Sequence, residues 1–166
     1  MVMASSGTTV TFPNEEQILI TREFDAPRRL VYRAWTEPEL VGRWWGGEHG
    51  EVTSVRIDLR VGGAWRCVLV TSDGSEAAFR GEYREIVPRE RIVSTEVYEG
   101  MPESEAFNTV TFTEKEGRTT LTVLVQHGSK EARDAHIGSG METGMREALD
   151  LLEKVAVSLH RAEGRG

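Results

Sequence analysis

A chain of 166 residues, 39% hydrophobic and 28% charged, fits one ordinary globular domain, the usual size being about 100–200 residues. At this length roughly 70% of the unfolded surface is buried on folding, so a core forms without staples. A net charge of −7 excludes a general nucleic-acid binder, because phosphate binding needs clustered Lys and Arg.

Residues 1–16 are small, polar and aperiodic and read as a flexible N-terminal tail, leaving 17–162 as a single domain. The first strand is QILITREF, in which Ile18, Ile20 and Arg22 alternate with Leu19 and Thr21. Asp25 is placed to cap a first short helix with Pro27 in its opening turn, and Leu30, Val31, Ala34 and Trp35 recur at helical spacing. Thr36 then starts a second, with Leu40, Val41 and Trp44 on one face, ended by Gly46 and Gly47.

From Val52 the period falls to two. VTSVRIDL, AWRCVLVT, EAAFRGEYREIV, RIVSTEVY, AFNTVTFTE and RTTLTVLVQH follow one another across short turns, of which Asp73-Gly74 is the clearest. Six consecutive strands so connected make an antiparallel meander. After His127 the pattern becomes helical and stays so. Met141, Met145, Ala148, Leu149, Leu152, Val155, Ala156 and Leu159 form one apolar stripe, opposite a charged face. A sheet with one apolar face needs a cover, and this helix is the candidate of sufficient size. The two short helices then close one end of the cavity, which puts Trp44 and Trp45 at its mouth.

Together these segments resemble a known family. FDAPRRLVYRAWTEPELVGRWWG, DLRVGGAWR, GEYREIVPRERIV, TTLTVLVQHG and GMETGMREALDLLEKVAV occur in order over about residues 18–160. They are similar to the Activator-of-Hsp90-ATPase-like branch of the START/Bet v 1 superfamily, also known as the SRPBCC or polyketide-cyclase group. The resemblance implies an α+β helix-grip fold. A curved seven-stranded antiparallel sheet wraps a long C-terminal helix, two short helices join strands one and two, and a pocket lies between. Relatives usually carry Gly-Trp where this chain has Gly144-Met145, which implies a larger or more adaptable pocket end.

The candidate pocket residues follow from strand parity and the helix stripe. Trp35 and Trp65 are candidates for core and pocket wall. Of Trp44 and Trp45, one packs under the long helix and the other faces the mouth, where the pair can stack a flat apolar ligand. Cys67, Phe79, Tyr83, Phe107, Val123 and Val125 fall on strand faces taken as inward, and Met141, Met145 and Leu149 form the roof. His127 ends the last strand on the inward face. It is either a satisfied buried imidazole or a hydrogen-bonding or acid-base group for a ligand. His127 and Tyr83 are the weak catalytic candidates, and no catalytic residue is assigned.

His49 reads as solvated in its loop, and His136 and His160 as surface residues. The four histidines lack zinc-ligand spacing, so no metal is expected, nor is a cofactor. The single Cys67 excludes an internal disulfide. MVMASSGTTV is not a signal peptide and nothing approaches a membrane span, so a cytoplasmic protein is expected. Three functions stay open: binding of a small hydrophobic or aromatic molecule, cyclase/aromatase- or hydrolase-like catalysis in the same cavity, and a co-chaperone-like contact with a chaperone. No nucleic-acid or membrane partner is expected, and either a monomer or a homodimer is compatible.

Overall fold

Period-two alternation becomes strand wherever it was expected, and one more strand precedes it. The computed structural model describes residues 7–48 and 50–165; residues 1–6 of the expected tail, and His49, lie outside them. Strand β1 (Thr9–Thr11) comes from the expected tail and pairs antiparallel with β2 (Gln17–Phe24). Its β-branched Thr-Val-Thr suits an edge strand, and Val10 packs against the core. The sheet therefore has eight strands rather than seven.

Helices α1 (Arg28–Thr36) and α2 (Pro38–Val41) follow, then β3 (Gly50–Ile57), β4 (Ala64–Thr71), β5 (Glu76–Val87), β6 (Arg91–Tyr98), β7 (Ala106–Lys115) and β8 (Arg118–Gln126). The order across the sheet is β1-β2-β8-β7-β6-β5-β4-β3, with every neighbouring pair antiparallel. Because β2 and β3 lie far apart in this order, α1 and α2 must carry the chain from one side of the sheet to the other. Bulges at Val52/Ser54 and Tyr83/Glu85 bend the strands. At Gly81 an added Cβ would lie 1.8 Å from the Thr95 carbonyl oxygen, so only glycine fits between β5 and β6.

Both expected caps are corrected. Asp25 caps nothing; the N-cap of α1 is Pro27, without a side-chain bond, while the Asp25 amide donates to Glu153. Thr36 ends α1 rather than starting α2, its hydroxyl turning back to the Tyr32 carbonyl oxygen at 2.8 Å. Pro38 at the first position then starts α2, preceded by Glu37. The helix ends at Val41, earlier than expected, and Trp44 and Trp45 stand in the turns beyond it.

The expected single C-terminal helix is interrupted. Ser129 caps α3 (Lys130–Gly138), its hydroxyl accepting from the Ala132 amide at 3.0 Å. Gly140, at φ 84°, turns the chain into α4 (Met141–Arg165). Leu149, Leu152, Val155 and Ala156 of α4 pack with Ile18, Ile20, Phe24 and Phe112 in one core. Arg22 is also in the interior, 3% exposed, and links β2 to Asp150 at 2.5 Å and to Glu153. Those two acids belong to the charged side of the stripe, and the buried guanidinium is paired with both.

Candidate functional site

The inward face of the sheet and the start of α4 do not meet completely. Between them is a cavity of about 360 Å³. Strand parity supplies one wall, with Trp65, Cys67 and Leu69 from β4, Phe79 and Tyr83 from β5, and Val123 and Val125 from β8. Trp35 of α1 and the turn at Trp44 and Trp45 close one end, while Met141, Met145 and Ala148 form the α4 side.

Trp44 and Trp45 have separate roles. Trp44 is 3% exposed, stacks on Trp35 with ring centroids 4.9 Å apart, and donates its Nε1–H to the Ala34 carbonyl oxygen at 2.8 Å. That bond satisfies the indole in the core while one face of the ring still borders the cavity. Trp45 is half-buried and meets Phe79 edge-on at 4.9 Å. Trp65 donates its Nε1–H to the Thr95 carbonyl oxygen at 3.2 Å, which fixes the ring against the sheet.

Three expected residues are not on the cavity wall. Phe107 is 42% exposed, with the Arg84 guanidinium 6.0 Å from its ring centroid. The inward face of β7 belongs instead to Ala106, Asn108, Val110 and Phe112, so the aromatic was assigned to the wrong parity. Leu149 is fully buried in the core beyond the cavity. His127 is buried, but its Nε2 lies 3.0 Å from Nδ1 of His136, and it is His136, read as a surface residue, that borders the cavity. Tyr83 does border it, yet burial raises its phenol, which makes it a weak proton donor near neutral pH.

The polar end of the cavity was missed in the sequence. Glu96 and Asn108 both line it, and the Asn108 amide donates to Glu96 Oε1 at 2.6 Å. Ser94 pairs with Asn108 across β6 and β7, which brings Glu96, two residues on, beside the amide. Burial raises the Glu96 carboxyl, with the Asn108 bond partly opposing the shift. Asn108 Oδ1 is buried without a hydrogen-bond partner. The available signal was parity: Ile92, Ser94 and Glu96 share a face, as do Asn108, Val110 and Phe112. Burial, reinforced by Glu96, pushes the Cys67 thiol up to about 12, so it is not a nucleophile at neutral pH.

Residues 25–156 match the family model described as Activator of Hsp90 ATPase homolog 1-like protein. The chain belongs to that family. No match was found among curated proteins. A crystal structure of a Rhodobacter sphaeroides protein is similar over 91% of this chain and 99% of its own, at 25% identity and a TM-score of 0.84. Protein NE0264 of Nitrosomonas europaea is similar over the same shares at 24% identity and a TM-score of 0.80. An AHSA1-like protein from Aeromonas hydrophila, 20% identical, covers 86% of this chain and 94% of its own at a TM-score of 0.66. The latter two likenesses speak to the fold alone. In this AHSA1-like chain no described helix is long and apolar enough to cross a membrane. No group of three or more potential metal-ligating side chains occurs among the described residues.

A second hollow, about 450 Å³, lies beside Arg22, Asp150, Glu153 and Lys154. Its buried cation is already held by both carboxylates. The cavity under α4 is the better candidate site, because Asn108 Oδ1 on its lining is buried without a hydrogen-bond partner.

Proposed function

We propose that this AHSA1-like domain binds a small, largely apolar or aromatic molecule in the cavity between the sheet and α4. The observation that carries the reading is an aromatic-walled space of about 360 Å³ with a few polar groups on its lining. Ligand sites have this character: a volume of about 300–1,000 Å³, mostly apolar walls, and sparse polar groups that fix orientation.

Thermal unfolding against a panel of aromatic, fatty-acid and polyketide-like compounds tests it. A ligand at 100 times its dissociation constant stabilises the fold by about 2.7 kcal/mol, a rise of roughly 5–10 °C for a domain of this size. A flat panel with purified protein argues against the cavity as a binding site. The chaperone contact has support from the family description alone. Stimulation of a chaperone ATPase alongside a flat panel would favour it. Consumption of a bound compound would assign the cavity to an enzyme.

A further inference from the structure

The polar end of the cavity has an imbalance of charge and of hydrogen-bonding capacity. Glu96 is half-buried on the cavity wall and receives one hydrogen bond, from Asn108. No ion pair to Glu96 is found among the described residues, and no Lys or Arg lines the cavity. A carboxylate removed from water without a counter-charge is costly, and the group responds by holding its proton. Beside it, Asn108 Oδ1 is an acceptor with nothing donating to it. A carboxyl group and an amide thus meet on a wall to which no cation belongs, and the amide oxygen, Asn108 Oδ1, has no donor. The same cavity is lined by Trp45, Trp65, Phe79 and Tyr83, whose rings attract cations as well as apolar groups.

The geometry points to a protonated amine on an aromatic or apolar body as the ligand class, its ammonium set between Glu96 and Asn108 Oδ1 and its body against the tryptophans. This inference rests on the cavity being a binding site. An ammonium has donors and no acceptor, so it matches two acceptors, and its charge restores ionisation of the carboxyl. Binding then proceeds as an exchange: the protonated Glu96 carboxyl loses its proton to solvent as the ammonium enters, leaving a carboxylate–ammonium pair. Up to one proton is released for each amine bound, in proportion to the Glu96 that was protonated beforehand.

Burial holds the Glu96 carboxyl above the usual range in the empty cavity, so affinity for the amine rises with pH up to the point where Glu96 ionises unaided. The other titratable groups facing the cavity are Cys67 on β4, Tyr83 on β5 and His136 on α3. Burial raises Cys67 to about 12 and raises Tyr83, while burial and His127 lower His136 to about 4. None of these three titrates between about pH 6 and pH 8. The remaining walls, from α1, the Trp44–Trp45 turn, α4, β2, β3 and β8, contribute no titratable side chain.

The test is calorimetry with three probes of one shape, tryptamine, its neutral alcohol tryptophol and the neutral indole-3-acetamide, from pH 6 to pH 8 in buffers of different ionisation enthalpy. Tryptamine is expected to bind at least about tenfold tighter than either neutral compound at pH 8, the effect of a hydrogen bond to a charged group. Its affinity should rise with pH over the interval in which Glu96 titrates, with net proton release there visible in the buffer dependence. In Glu96→Gln, checked for folding by thermal unfolding, the amine preference and the proton release should vanish while tryptophol still binds. Neutral probes binding as well as the amine would overturn the inference and leave the cavity reading intact. A pH dependence that survives in Glu96→Gln belongs to other groups and has the same force. Binding by none of the three overturns the amine inference, and the wider compound panel then decides the cavity reading.

Discussion

The imidazoles of His127, at the end of β8, and His136, on α3, meet with Nε2 and Nδ1 3.0 Å apart and their rings edge-on. One ring must donate and the other accept, so the contact needs at least one neutral imidazole. Burial, then the neighbouring His127, lowers His136 to about 4; burial, then Arg133, lowers His127. The pair fastens α3 to the sheet beside the cavity, and it is held together in the uncharged form.

That arrangement predicts acid sensitivity in a defined window. With folded values below the unfolded one of about 6.5, the native state binds fewer protons than the unfolded chain. The associated stability is complete above about pH 6.5 and is lost as pH falls toward 4. Between pH 6.5 and pH 5 the slope from His136 should approach about 1.4 kcal/mol per pH unit. Urea unfolding at several pH values measures it, and His136→Gln should flatten the curve. An unchanged slope in that variant would show that the pair does not set the acid limit.

The two adjacent tryptophans should separate stability from binding. Trp44→Ala removes a buried ring and leaves the Ala34 carbonyl without its donor, at a cost of about 3–5 kcal/mol. Trp45→Ala, at a half-buried ring, should cost about 1 kcal/mol and weaken any cavity ligand more than Trp44→Phe does. Comparable losses of stability for both alanine variants, with affinity untouched in Trp45→Ala, would make Trp45 plain core.

Arg22→Ala should destabilise through charge as well as volume. The guanidinium is nearly inaccessible, but Asp150 and Glu153 keep partial solvent exposure. The full cost of breaking a buried pair, about 3–5 kcal/mol, is therefore reduced here to about 2–3 kcal/mol. Arg22→Met, which restores volume without charge, should recover part of the loss in chemical denaturation. A loss under about 0.5 kcal/mol in Arg22→Ala would mark the bridge as having no weight.

Cys67 should be chemically silent in the folded protein. Its thiol is buried and raised to about 12, so almost no thiolate exists at pH 8. Labelling by an aromatic disulfide reagent should proceed at the rate of unfolding and accelerate in urea. Rapid labelling of native protein would mean that the cavity opens wide enough to admit the reagent.

Much of the fold was legible because hydrophobic period is a local property. Ile18 and Ile20 in β2, Trp65, Cys67 and Leu69 in β4, and the α4 stripe from Ala148 to Ala156 all face inward as their spacing requires. Local signals also misled. Phe107 was given the wrong strand parity, opposite to that of Val110 and Phe112, and Asp25 and Thr36 were placed by their propensity to cap. Competing contacts decided each case: the sheet face already filled by Asn108, the Asp25 carboxylate drawn to Arg118, and the Tyr32 carbonyl of the same helix within reach of the Thr36 hydroxyl.

By itself the sequence determined the elements, the inward aromatic set and the family motifs, since each is written in spacing along one chain. Only the tertiary structure decided the polar chemistry. Glu96 and Asn108 are 12 residues apart, His127 and His136 belong to different elements, and Arg22 meets Glu153 across a separation of 131 residues. Whether such groups are paired, orphaned or shifted depends on register between strands and on what excludes water from them. Those are properties of the assembled sheet and helix, and no periodicity encodes them.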